Sequence, residues 1–278
     1  MDDLKKMGMA IPSRLLWACW ALAAVAGLSG CASSPPKSGA TVAGADLVTD
    51  SDEPDARRRA RTRLDLAVLY FSDGKATIAL DEVKQAIATD PSWFESYNMR
   101  GLIYTQLGDM PLAEESFRRA LSLNPRAASV QHNYGWMLCK QARLPEALQM
   151  FGNALANPAY RDKAKTWMAQ AQCQLEGGQR IEAEASFLRS YEIDPGNPIT
   201  GYNLALLMFQ RKELVRAQFF VRRINNSELA NAESLWLGVR VERELNNRDA
   251  VAQLGGQLKK RFPQSRESSA YERGAFDE

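Results

Sequence analysis

The chain has 278 residues, 35 basic and 33 acidic side chains, a formal net charge of +2 and one histidine, His132. Such a near-balance of charge argues against nucleic acid as the main partner, and one histidine excludes a catalytic or metal site built on several. No Gly-rich phosphate loop, Cys-x-x-Cys pair or nucleophile motif is present, so the reading is a non-enzyme with no metal, cofactor or small-molecule substrate.

Residues 1–30 read as a processing segment. Lys5, Lys6 and Arg14 form a basic start, and Leu15 to Leu28 is an apolar run too short to span a bilayer. The run ends in Leu28-Ser29-Gly30-Cys31, which resembles a bacterial lipobox. That resemblance implies cleavage before Cys31 and an N-acyl diacylglycerol modification on it. The alternative is a chance cysteine after an ordinary signal peptide. Ala32 stands where an Asp would imply inner-membrane retention, so an outer-membrane address on the periplasmic face is expected. Residues 31–56 read as the lipidated N-terminus and a flexible tether, rich in Ser, Pro, Gly, Ala, Thr and Asp. A coil of about 24 residues spans roughly 27 Å. Arg57, Arg58, Arg59, Arg61 and Arg63 follow, either as the solvated face of a first helix or as a contact for anionic lipid or an acidic patch.

From residue 57 to 263 a 34-residue period governs the chain. In the unit that starts at Phe94, Tyr97, Gly101, Tyr104, Ala113, Phe117, Ala120 and Pro125 stand at positions 4, 8, 11, 20, 24, 27 and 32. Gly135, Ala147, Phe151 and Ala154 lie 34 residues on, and Tyr70, Ala79, Ala86 and Pro91 lie 34 back. Positions 4, 8 and 11 share one face of a first helix, and 20, 24 and 27 one face of a second. Small residues at 8 and 20 let the two backbones approach, and large ones at 4, 11 and 24 fill the space beside them. Gly108 is placed to end the first helix and Pro111 to start the second. Repeat 4 follows a two-residue expansion, since Phe151 and Phe187 are 36 apart. Repeat 5 carries Ala205, Met208, Ala217 and Val221, and repeat 6 is set on Gly238, Val241, Ala250 and Leu254. Residues 264–278 read as a polar, frayed tail. The pattern resembles a tetratricopeptide (TPR) array, which implies an all-α superhelical solenoid of about six helical hairpins, the last two degenerate.

After processing, two thiols remain, Cys139 and Cys173, near the ends of first helices in consecutive repeats. They form either a disulfide, as an oxidising compartment allows, or two buried unpaired cysteines.

The signal segment, lipobox, tether and repeats together resemble the PilF/PilW family of type IV pilus biogenesis lipoproteins. The stretch His132-Asn133-Tyr134-Gly135-Trp136-Met137-Leu138-Cys139 is similar to that family's third repeat, and Arg63 to Tyr70 to its first. The resemblance implies a pilotin that binds secretin (PilQ) subunits, brings them to the outer membrane and promotes their multimerisation. The alternative is a general periplasmic TPR scaffold for peptidoglycan hydrolases or outer-membrane protein assembly. In TPR arrays positions 2, 5, 9 and 12 of first helices line the concave side, which here places His132 in the groove. Leu64, Val68, Phe71 and Leu102 would then anchor a partner segment, beside Asn98, Asn133 and Trp136. Asn98, Asn133 and Lys165 supply part of a carboxylate clamp, but Ala169 occupies the place of its second cation. The competing reading is that the apolar set is inter-repeat core or lies under the chain's own tether. The next candidate groove surrounds Tyr202, Leu206 and Phe209.

Overall fold

The structure is a computed structural model that describes residues 52–276. The signal segment, Cys31 and most of the tether lie outside the described residues. Among them thirteen helices and no strand occur. They pair as α1 (Asp55–Ser72) with α2 (Ala76–Thr89), α3 (Phe94–Leu107) with α4 (Met110–Leu123), and α5 (Ala128–Lys140) with α6 (Leu144–Ala156). Next come α7 (Lys163–Glu176) with α8 (Arg180–Ile193), α9 (Pro198–Gln210) with α10 (Leu214–Asn225), and α11 (Ala232–Glu244) with α12 (Arg248–Arg261). A short α13 (Arg266–Arg273) follows. Each hairpin packs on the next, and the first helices α1, α3, α5 and α7 are lateral neighbours.

The period explains the packing. Phe117, Phe151 and Phe187, all at position 24, are wholly buried, as are Ala113, Ala147 and Ala183 at position 20. Gly101 is required by closeness: a Cβ there would lie 2.7 Å from the Phe117 ring. The turn between paired helices needs one left-handed residue, and the same slot supplies it in every repeat. Gly74, Gly108 and Gly178 fill it with φ of 75°, 81° and 78°, while Ala142, Lys212 and Asn246 adopt φ of 59°, 61° and 59°. Pro111 and Pro145 stand in the first turns of α4 and α6, where the missing N–H has no helical partner to lose.

Three sequence expectations are corrected. First, α1 begins at Asp55, so the array starts two residues before position 57. Second, repeat 6 keeps the 34-residue register, one residue later than Gly238 suggests. Lys212 and Asn246 occupy the same turn slot, so Val239 and Glu242 take the places of Ala205 and Met208, at 0 and 1% exposure. A carboxylate tolerates that core slot because it is fully engaged. Arg222 Nε donates to Glu242 at 2.7 Å, Gln218 Nε2 at 2.9 Å and Asn247 Nδ2 at 3.0 Å. Third, the polar tail is not frayed. Ser265 caps α13, accepting from Ser268 N at 3.0 Å. Tyr271 of that helix presses on Gly255, which stands at position 24 where the other repeats have Val or Phe and leaves no room for a Cβ. Ala270 and Ser268 are buried with it. The helix thus closes the apolar face that the sixth hairpin would otherwise expose.

Candidate functional site

One face of the array is built by the first helices, which lie side by side. Position 9 gives a row of side chains on adjacent helices: Val68 in α1, Leu102 in α3 and Trp136 in α5. Val68 is 48% exposed. Leu102 and Trp136 are half-buried, and Leu102 packs against the cores on both sides of it. Lys140 Nζ lies 4.4 Å from the Trp136 ring centroid and 3.6 Å from Glu176. The row is therefore apolar along the N-terminal repeats and has one cation at its end.

The remaining candidates divide. Leu64 is only 9% exposed and belongs to the core formed with Ala60, Ala67, Val83 and Trp93, so it supports the groove rather than lining it. Here the competing inter-repeat-core reading holds. Phe71 is half-buried against the same core. Asn133 Nδ2 donates to Asn98 Oδ1 at 3.0 Å, which couples α3 to α5 and takes one N–H of Asn133 away from a carboxylate clamp.

His132 is not a groove residue. It is buried, its Nδ1 is 2.9 Å from Thr166 Oγ1, and its ring is tilted on Phe151 at 6.0 Å. Burial, helped by the positive charge of Lys165, pushes its pKa down to about 4, so the ring is neutral at pH 7. Cys139 and Cys173 are joined as a disulfide between α5 and α7, with Cα atoms 5.7 Å apart. Both are buried.

The arginine cluster is largely engaged within the chain. Arg57 pairs with Asp90, Arg58 with Asp55 and Arg61 with Glu53, while Arg63 Nη1 lies 3.0 Å from Glu82. Burial would raise the Asp90 carboxyl, but hydrogen bonds from Arg57 and Ser92 outweigh it and hold it below the ordinary range. Glu95, at position 2 of repeat 2, also falls on a groove-lining position of the first helices. Burial pushes its carboxyl above the ordinary value, against the pull of Arg57 and Arg61, and its buried Oε2 has no hydrogen-bond partner. Its place on the first-helix face was legible; its burial was not.

Stacked helical hairpins with this slot pattern define a TPR array, a protein-interaction scaffold. Models of the tetratricopeptide repeat match residues 94–126 and 137–198. The type IV pilus assembly protein PilF of Pseudomonas aeruginosa is 26% identical over 246 residues, covering 88% of this chain and 94% of PilF. A solved P. aeruginosa PilF structure superposes with a TM-score of 0.71 at 25% identity, over 80% of this chain and 100% of that one. The crystal structure of PilW, described as a widely conserved type IV pilus biogenesis factor, gives 0.66 at 30% identity over 76% and 97%. The chain belongs to the PilF/PilW family of TPR proteins.

Proposed function

We propose that this chain serves type IV pilus biogenesis as a pilotin. It is held on the periplasmic face of the outer membrane through acylated Cys31, binds secretin (PilQ) subunits and promotes their multimerisation. The observation that carries the reading is the extent of the likeness, since the match with PilF runs over 94% of PilF rather than over a shared repeat or two. The groove supplies the chemistry: Val68, Leu102 and Trp136 form an apolar row across three hairpins, which suits a helix or strand docking alternate side chains.

Val68→Asp tests the groove without cutting into the core, as Leu64→Ser would. Purified secretin subunits should bind the folded Val68→Asp chain at least tenfold more weakly than the parent. Unchanged binding by a variant with an unaltered unfolding midpoint would place the secretin site outside repeat 1.

A further inference from the structure

The position-9 row does not stop at Trp136. It continues, across the two-residue expansion, to Gln172, Leu206 and Arg240. In the last two repeats the groove changes character, because α13 stands beside it as a third wall. A cavity of about 310 Å³ lies between α9, α11 and α13. Tyr202, Leu206, Trp236 and Ala270 give it apolar walls. That volume sits at the small end of ligand-binding cavities and suits a side chain rather than a folded surface.

Its charge is lopsided. An adjoining cavity of about 460 Å³ shares Arg240 with it. Together the two are lined by five basic and three acidic side chains. The buried anion among them, Glu267, is already met by Arg266 Nε at 2.7 Å. The guanidinium of Arg240 lies 5.1 Å from the Phe209 ring centroid, and its Nε is buried with no hydrogen-bond acceptor. Arg240 as a whole is half-buried and lines both cavities, so its guanidinium can meet a carboxylate entering there in a charge-assisted hydrogen bond. The chain itself shows what this end of the groove accepts. Phe276 stacks on Trp236 with centroids 5.5 Å apart, and Arg243 lies 4.2 Å from the Phe276 ring centroid.

We propose that the cavity between α9, α11 and α13 is a second recognition site that takes an apolar side chain of a partner polypeptide with a carboxylate beside it, bound by Arg240. It is separate from the groove of repeats 1 to 3 and does not depend on what that groove binds.

The test is fluorescence anisotropy of the full chain with a labelled peptide, Gly-Ser-Leu-Asp-Glu with a free C-terminus. Controls are the neutral Gly-Ser-Leu-Asn-Gln amide and Gly-Ser-Gly-Asp-Glu. The acidic, apolar peptide should bind at least tenfold more tightly than either control. Arg240→Met, which keeps the stem over Phe209, should weaken it at least tenfold, Arg240→Lys less, and Val68→Asp not at all. Absence of binding at millimolar peptide, or equal binding of the neutral peptide, would overturn the proposal. So would loss with Val68→Asp, which puts the peptide in the N-terminal groove, or self-association of the chain abolished by Arg240→Met, which makes the occupant a second copy. Should Arg240→Met fail to fold, the comparison of the three peptides on the unaltered chain decides.

Discussion

The closeness of paired helices can be measured by adding one methyl group. A Cβ on Gly101 would lie 2.7, 2.8 and 2.8 Å from three ring atoms of Phe117. Ordinary carbon contacts sit at about 3.5–4.0 Å, so the ring would have to retreat by about 1 Å. It has nowhere to go, being wholly buried and stacked on Tyr134 with centroids 5.7 Å apart. Overpacking of this kind costs about 1–3 kcal/mol. Replacing a helical glycine with alanine returns about 1 kcal/mol of helix propensity, so Gly101→Ala should be destabilised by a net loss of up to about 2 kcal/mol. Gly152 supplies the control. It lies within α6 with nothing within 4 Å of a built Cβ, so Gly152→Ala shows the propensity gain alone. Subtracting one variant from the other removes the shared term and leaves the clash. Urea unfolding followed by circular dichroism should rank Gly152→Ala above the parent and Gly101→Ala below it. Gly101→Ala at least as stable as Gly152→Ala would refute close helix approach at position 8.

Three further outcomes follow from the same geometry. Ala142→Gly, at the left-handed turn slot, should raise stability by about 1 kcal/mol in urea unfolding; a loss would contradict the assigned turn. His132 has an ordinary pKa of 6.5 and a folded value of about 4, so the unfolded chain takes up the proton first. Its contribution is complete above pH 6.5, falls as pH drops towards 4 and is flat below; between pH 7 and 5 the loss is about 2 kcal/mol. His132→Gln should remove that component, and an unchanged pH dependence would contradict the buried neutral ring. Replacing Cys139 and Cys173 together by serine opens a loop with a sequence separation of 34. The expected cost is about 3–4 kcal/mol from loop entropy, and two free thiols in the denatured, unreduced parent would rule the bridge out.

The hairpins were legible because the period repeats a physical requirement. Phe117, Phe151 and Phe187 mark the same filled space, and Gly101 and Gly135 the same close approach. Where polar residues take core or turn positions, the pattern goes quiet. Glu242 is acceptable in a core slot only because Arg222, Gln218 and Asn247 reach it, and none of these is adjacent in sequence. Lys212 conceals a left-handed turn that Gly108 announces. The last helix has too few apolar residues to show a period, yet Tyr271 finds a space that only Gly255 leaves open. The groove was half legible for a related reason. Val68 and Leu64 are one helical turn apart and equally apolar, but one is 48% exposed and the other 9%, a difference made by neighbours that the period does not name.

The most direct measurement of the pilotin role is the state of the secretin in cells with and without this chain. Outer membranes should hold secretin multimers when the parent chain is present. Without it, or with Cys31→Ala, the secretin should remain as subunits or assemble away from the outer membrane, and pili should be lost. Wild-type levels of outer-membrane secretin multimers in cells lacking the chain would contradict the role outright.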